Sequence, residues 1–109
     1  MRDDKRVIYK YPIQQGGETV IRGWFTRFMH VGEQNGELMV WMENSLTHSG
    51  KAGWAPRTPD EMIEVTFHAI GTGWTYENGE LGFHMGTVQM SDGLVWHVYI
   101  GPGTRWIEP

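Results

Sequence analysis

Phe28-Met29-His30-Val31-Gly32-Glu33-Gln34-Asn35-Gly36-Glu37-Leu38-Met39-Val40-Trp41-Met42-Glu43 is the stretch on which the fold turns. Two apolar-rich arms flank Asn35-Gly36, the dipeptide that most readily takes the positive φ values of a two-residue hairpin turn. Leu38, Trp41, Met42, Ser45 and Leu46 also fit a helical face, but the matching arm before the turn favours a hairpin over residues 28–34 and 37–43. The same grammar repeats outward. Residues 6–13 (RVIYKYPI) are rich in β-branched and aromatic side chains. Residues 19–22 follow a turn at Gln15-Gly16-Gly17. Residues 62–70 alternate, with Ile63, Val65, Phe67 and Ala69 on one face and Glu64, Thr66 and His68 on the other. Asn78-Gly79 predicts a tight turn between strands at 74–77 and 80–83, and Ser91-Asp92-Gly93 another between 85–90 and 94–100. In the last strand Leu94, Trp96, Val98 and Ile100 share one face, opposite Val95, His97 and Tyr99.

Glycine makes up 15 of the 109 residues, about twice the usual ~7%. Interior Gly and Pro cost a helix roughly 1 and 3 kcal/mol, so long helices have almost nowhere to sit. The expected architecture is all-β: a small antiparallel β-sandwich or partly open β-barrel of about six to eight short strands joined by hairpins. The expected organisation is a single domain over residues 1–109, with a long irregular loop at 44–60 and a short tail at 101–109.

Composition narrows the classes of function. Counted with Gly and without Tyr, the apolar share is about 49%, inside the globular range. The net charge of −4 argues against a binder of duplex nucleic acid. No apolar run reaches the ~18 residues of a membrane span, so no membrane association and no secretory leader are expected. The absence of cysteine removes disulfides and thiolate metal sites and fits a reducing cytoplasm.

No catalytic set stands out. His30, His48, His68, His84 and His97 form no close pair with metal-ligand spacing, so neither a metal nor a cofactor is expected. His97, inside an apolar strand, reads as a buried or half-buried imidazole bonded to backbone. Ser45, Ser49 and Ser91 lie in turn-like segments where hydroxyls make local bonds. Asp60, Glu61 and Glu64 are carboxylates in a linear run, which by itself supplies no opposed acid–base geometry. Gly71-Thr72-Gly73-Trp74 lacks the helix a phosphate-cradling loop feeds and reads as a turn with positive φ. The expectation is a protein that is not an enzyme.

The six tryptophans are more informative. Trp41 and Trp96 sit in expected strands and read as core. Trp24, Trp54, Trp74 and Trp106 adjoin Gly, Pro or loop segments, where an exposed indole is kept for covering something. With Arg57 and Arg105 they form the candidate ligand-binding set, Trp54 with Arg57 and Arg105 with Trp106 being pairs close in sequence. Aromatic faces stack bases at ~1–3 kcal/mol each, and guanidinium forks suit phosphates. The plainer reading of the same indoles is that they pack over the ends of the fold or in a homo-oligomer.

Val7-Ile8-Tyr9-Lys10-Tyr11-Pro12-Ile13, Glu18-Thr19-Val20-Ile21, His30-Val31-Gly32-Glu33-Gln34-Asn35-Gly36-Glu37-Leu38 with Trp41, Ile70-Gly71-Thr72-Gly73, Gly86-Thr87-Val88-Gln89 and Leu94-Val95-Trp96-His97-Val98 together resemble, in order, a family of small phage- and prophage-encoded proteins of unknown function. The central segment is longer and more basic than that pattern, and Thr104-Arg105-Trp106-Ile107 extends past its usual end. The resemblance implies an accessory protein acting in the cytoplasm of an infected bacterium. Joined to the loop chemistry, it leads to a non-enzymatic, anti-defence role: capture of a small, nucleotide-derived ligand, with a homo-oligomer completing the pocket. A protein-binding inhibitor of a host factor and a small virion module are the alternatives.

Overall fold

The computed structural model describes residues 5–50, 53–58 and 61–101, and of these the side chains of 48–50 and 53–55 are left undescribed. Among the described residues the chain forms β1 (Arg6–Pro12), β2 (Gly17–Gly23), β3 (Phe25–Gln34), β4 (Glu37–Ser45), β5 (Thr47–Gly50), β6 (Gly53–Pro56), β7 (Ile63–Gly71), β8 (His84–Gln89) and β9 (Val95–Ile100). Two antiparallel sheets, β1-β4-β3 and β2-β7-β9-β8, carry the fold, and β5-β6 is a separate two-stranded ribbon. The protein is a β-sandwich; its sheets do not close into a barrel.

The hairpin that anchored the sequence reading is present. Asn35 (φ 54°) and Gly36 (φ 80°) are both left-handed, as a type I′ turn requires. β4 then runs down the middle of its sheet and turns Leu38, Val40 and Met42 inward, each fully buried. Facing them, β7 contributes Val65, Phe67 and Ala69, and β9 contributes Trp96, Val98 and Ile100. Strict alternation on β7 and β9 puts every second residue of the four-stranded sheet on its outer face. At one side the sheets meet where Val31 of β3 fills the space above Gly86 of β8. A Cβ there would lie 2.5 Å from Val31 Cγ1, which is why this close approach falls on a glycine.

The chain changes sheets between β2 and β3, and a buried amide organises that crossing. Asn44 is 1% exposed. Its Oδ1 accepts the Trp24 backbone N–H (3.0 Å), and its Nδ2 donates to the Tyr11 hydroxyl (3.2 Å) and the Met42 carbonyl (3.3 Å). Burial holds the Tyr11 phenol above its usual range, against the opposing pull of the Asn44 hydrogen bond. At the other end, Glu33 accepts from both the Ser91 N–H (2.9 Å) and its hydroxyl (2.6 Å). That contact ties the β3–β4 turn to the β8–β9 turn.

Four expectations are corrected. Residues 44–60 are not one irregular loop: Asn44 and Ser45 finish β4, and β5 and β6 pair in register from Thr47↔Pro56 to Gly50↔Gly53. Pro and Gly are tolerated there because each strand of a two-stranded ribbon is an edge. The strands expected around Asn78-Gly79 do not form. The turn itself exists, with Gly79 at φ 86° and Glu80 N–H on Glu77 O, but Trp74 and Tyr76 turn to ring partners on β9, Trp96 and Tyr99. Those tertiary contacts prevail over local pairing. Trp41 is not core; it lies half-buried on the outer face against His30, with ring centroids 5.4 Å apart. Leu94 is 52% exposed and precedes β9 instead of joining its inner face.

Candidate functional site

The outer face of β7, β9 and β8 gathers the polar and aromatic groups that the core excludes. The registers set Ile70 opposite His97, Thr87 opposite His97, and His84 opposite Tyr99. The segment 72–83 then returns across this face. It leaves β7 through Gly71-Thr72-Gly73-Trp74, where Trp74 N–H reaches Gly71 O at 3.1 Å and Gly73 sits at φ 89°. Positive φ at that third position only is the signature of a type II turn, as expected for this tetrapeptide.

The turn seats the Trp74 indole on two glycines. A Cβ on Gly71 would lie 2.7 Å from its Nε1, and one on Gly16 2.7 Å from its Cη2. The ring meets Trp96 edge-on, with centroids 5.3 Å apart at 87°, a favourable arrangement for aromatic quadrupoles. Trp74 nevertheless stays 53% exposed. Tyr76, 51% exposed, leans against Tyr99 at 6.3 Å. Between them lies a shallow cleft of about 230 Å³, walled by Trp74, Tyr76 and Tyr99 and floored by Ile70, Thr72 and His97. Burial, then the hydrogen bond and charge of Tyr76, raise the Tyr99 phenol above its ordinary value, so it stays a neutral hydrogen-bonding group at physiological pH.

A run of hydrogen bonds leads away from the cleft floor. His97 Nε2 pairs with Thr72 Oγ1 at 2.8 Å, His97 Nδ1 with Thr87 Oγ1 at 3.0 Å, and that same hydroxyl with His84 Nε2 at 2.9 Å. The half-buried position expected for His97 is observed, but its partners are threonine hydroxyls, not backbone. The reason is register: on the outer face of an inner strand the backbone is already paired, so the ring bonds to its cross-strand neighbours. Among the described residues no group of three or more His, Cys, Asp or Glu is placed to hold a metal ion.

The six residues singled out from the sequence are not one cluster. Trp24 and Arg57 do come together: Trp24 Nε1 donates to Thr58 O at 2.7 Å, and Arg57 pairs with Glu61 at 2.9 Å. These contacts close that end of the sandwich and spend the guanidinium on a carboxylate. Trp74 lies above Gly16, before β2 begins, whereas Trp24 follows its end. Six steps of ~3.3 Å put the two ends of β2 about 20 Å apart, so Trp24 and Trp74 cannot line one pocket. The Trp54 side chain, Arg105 and Trp106 lie outside what is described. Tyr76, Tyr99, Thr72 and Thr87 were missed. A hairpin centred on Asp92 already pairs Thr87 with His97, but nothing in the sequence brings residues 72–76 over β9.

Residues 4–107 match the family model of a domain of unknown function, DUF7352, and the chain belongs to that family. No curated protein and no solved structure matches it. Among the described residues no helix is long and apolar enough to cross a membrane.

Proposed function

We propose that this domain is a non-enzymatic binding module whose cleft captures a small ring-bearing ligand of nucleobase size. One observation carries the reading: Trp74 and Tyr76, each about half exposed, line a cleft together with the hydrogen-bonding side chains of Thr72, His97 and Tyr99. At about 230 Å³ the cleft is smaller than the ~300–1,000 Å³ of drug-sized pockets, which suits a single ring system, not a dinucleotide. Among the described residues its lining contains no Lys or Arg. Each described arginine is engaged with a carboxylate: Arg6 and Arg27 with Glu43, Arg22 with Glu64, Arg57 with Glu61. The described lining therefore favours the ring of a nucleotide-derived ligand over its phosphates. In an infected cell, such capture withholds a nucleotide-derived signal from its host effector.

Catalysis is the weaker reading. The Thr72–His97 contact resembles a nucleophile and its base, yet His97 is oriented by a second hydroxyl where a carboxylate would stabilise an imidazolium. A protein partner is favoured by one observation, Phe83 at 80% exposure, since large exposed aromatics anchor interfaces.

Titrating free bases, nucleosides and nucleotides while following tryptophan fluorescence tests the proposal. Nucleosides bind with sub-millimolar affinity, added phosphates gain nothing, and Trp74→Ala abolishes the response. No binding tighter than about 1 mM, roughly −4 kcal/mol, refutes it, and a stoichiometric protein retained from host lysate instead moves the function to inhibition.

A further inference from the structure

We infer that Thr72, His97, Thr87 and His84 form a directional hydrogen-bond relay through which the cleft offers its ligand either a donor or an acceptor, fitting it to rings that present either a carbonyl or an N–H to Thr72. The inference rests on the binding reading above and names the ligand's polar edge.

Proton counting gives the relay its direction. A threonine hydroxyl has one proton, and a neutral imidazole carries one on either nitrogen. Three links join the four groups, and two arrangements keep the Thr87 proton inside the chain. In the first, His84 Nε2–H donates to Thr87, Thr87 donates to His97 Nδ1, and His97 Nε2–H donates to Thr72. The Thr72 proton is then free to point into the cleft. In the second, every bond reverses: Thr72 donates to His97 Nε2, His97 Nδ1–H donates to Thr87, and Thr87 donates to His84 Nε2. Thr72 then shows the cleft only lone pairs. A ligand carbonyl selects the first arrangement, and a ligand N–H selects the second.

The placement of these groups supports this use. Thr72 and His97 border the cleft, His97 is half-buried, and His84 is exposed at the far end of the chain. Among the described residues no carboxylate is bonded to any of the three links, so none of them biases the chain toward one direction. A ligand's hydrogen-bonding sense is thereby written into the tautomer of a histidine that the ligand does not touch.

The test uses the whole chain labelled with ¹⁵N at histidine, read by long-range ¹H–¹⁵N correlation, which separates Nδ1–H from Nε2–H tautomers. Two ring probes are compared: N-methyl-2-pyridone, which accepts and cannot donate, and indole, which donates and cannot accept. Binding is followed independently through the Trp74 indole resonance. N-methyl-2-pyridone moves both His97 and His84 toward Nε2–H, and indole moves both toward Nδ1–H. In Thr87→Val, which keeps a β-branched shape suited to a strand, His97 still follows the probe and His84 no longer does. Thr72→Val lowers affinity for both probes about fivefold, the loss of one neutral hydrogen bond. Binding of both probes without opposite tautomer shifts overturns the relay and leaves the binding reading standing. A His84 response that survives Thr87→Val also overturns it. If neither probe perturbs Trp74, the binding reading and the relay fall together.

Discussion

Gly71→Ala tests the seat of Trp74 with a single methyl group. The position is not among those with positive φ, so alanine is compatible with the backbone, and the perturbation acts only through space. The new Cβ lies 2.7 Å from Trp74 Nε1 and 2.8 Å from Cε2, well inside contact distance, so the indole must lift. Trp74 is 53% exposed; about half of the ~150–250 Å² a tryptophan buries, roughly 100 Å², therefore loses its neighbours. At ~25 cal/mol per Å² that is about 2.5 kcal/mol, offset by about 0.8 kcal/mol for the methyl now buried. The edge-on contact with Trp96 adds about 0.5–1.5 kcal/mol. Partial relaxation of the ring recovers some of this, and the expected loss is about 1–2 kcal/mol. Thermal unfolding reads it as a Tm lower by about 4–8 °C per kcal/mol, and ring-ligand affinity falls at least tenfold. The decisive measurement is the double variant. If Gly71 acts by seating the indole, Gly71→Ala costs almost nothing once Trp74 is already alanine. An equal cost in both backgrounds, or unchanged ligand affinity in Gly71→Ala, refutes the reasoning.

Three other perturbations have outcomes set by the fold. Asn44→Ala strands the Trp24 N–H and the Tyr11 hydroxyl in a buried crossing, and chemical denaturation should show a loss of about 2–4 kcal/mol. The Thr26 hydroxyl, then Arg6 and Arg27, hold the Glu43 carboxyl below its ordinary value of 4.5. A depressed folded-state pKa contributes stability that is present above the unfolded value and lost as pH falls through the folded one. Wild-type Tm should therefore drop below about pH 4.5 with a steeper slope than that of Glu43→Gln. Gly82→Ala places a Cβ 2.2 Å from the Ile100 carbonyl oxygen. Backbone cannot swing aside as a ring can, so this exposed position should cost about 2–3 kcal/mol and speed amide exchange at Ile100, whose N–H bonds to Phe83 O.

Much of the architecture was legible in local signals because those signals are conformational. Asn35-Gly36 accepts left-handed backbone that few other pairs take, and the φ values it adopts are those the turn needs. Strict alternation along residues 63–71 and 95–100 has one solution, a strand with a buried face, and both segments adopt it. The reading failed where a turn signal was right and its flanks were decided elsewhere. Asn78-Gly79 makes its turn, closed by Glu77 and Glu80, yet no strands pair beyond it, because Trp74 and Tyr76 lean on β9.

What the sequence determined alone is the class of structure and the faces of its strands, since backbone preference and two-residue periodicity are properties of neighbours in the chain. The tertiary structure decided where each indole stands. Trp24 and Trp74 look alike in sequence, each beside a glycine, but one closes the end of the sandwich through Thr58 and the other stands open above Gly16 and Gly71. Likewise Thr72 and His97, 25 residues apart, become partners only because β7 and β9 pair and the turn after Gly71 folds back. Spatial convergence of distant residues depends on strand order, and strand order is fixed by the packing of two whole sheets, which no local stretch encodes.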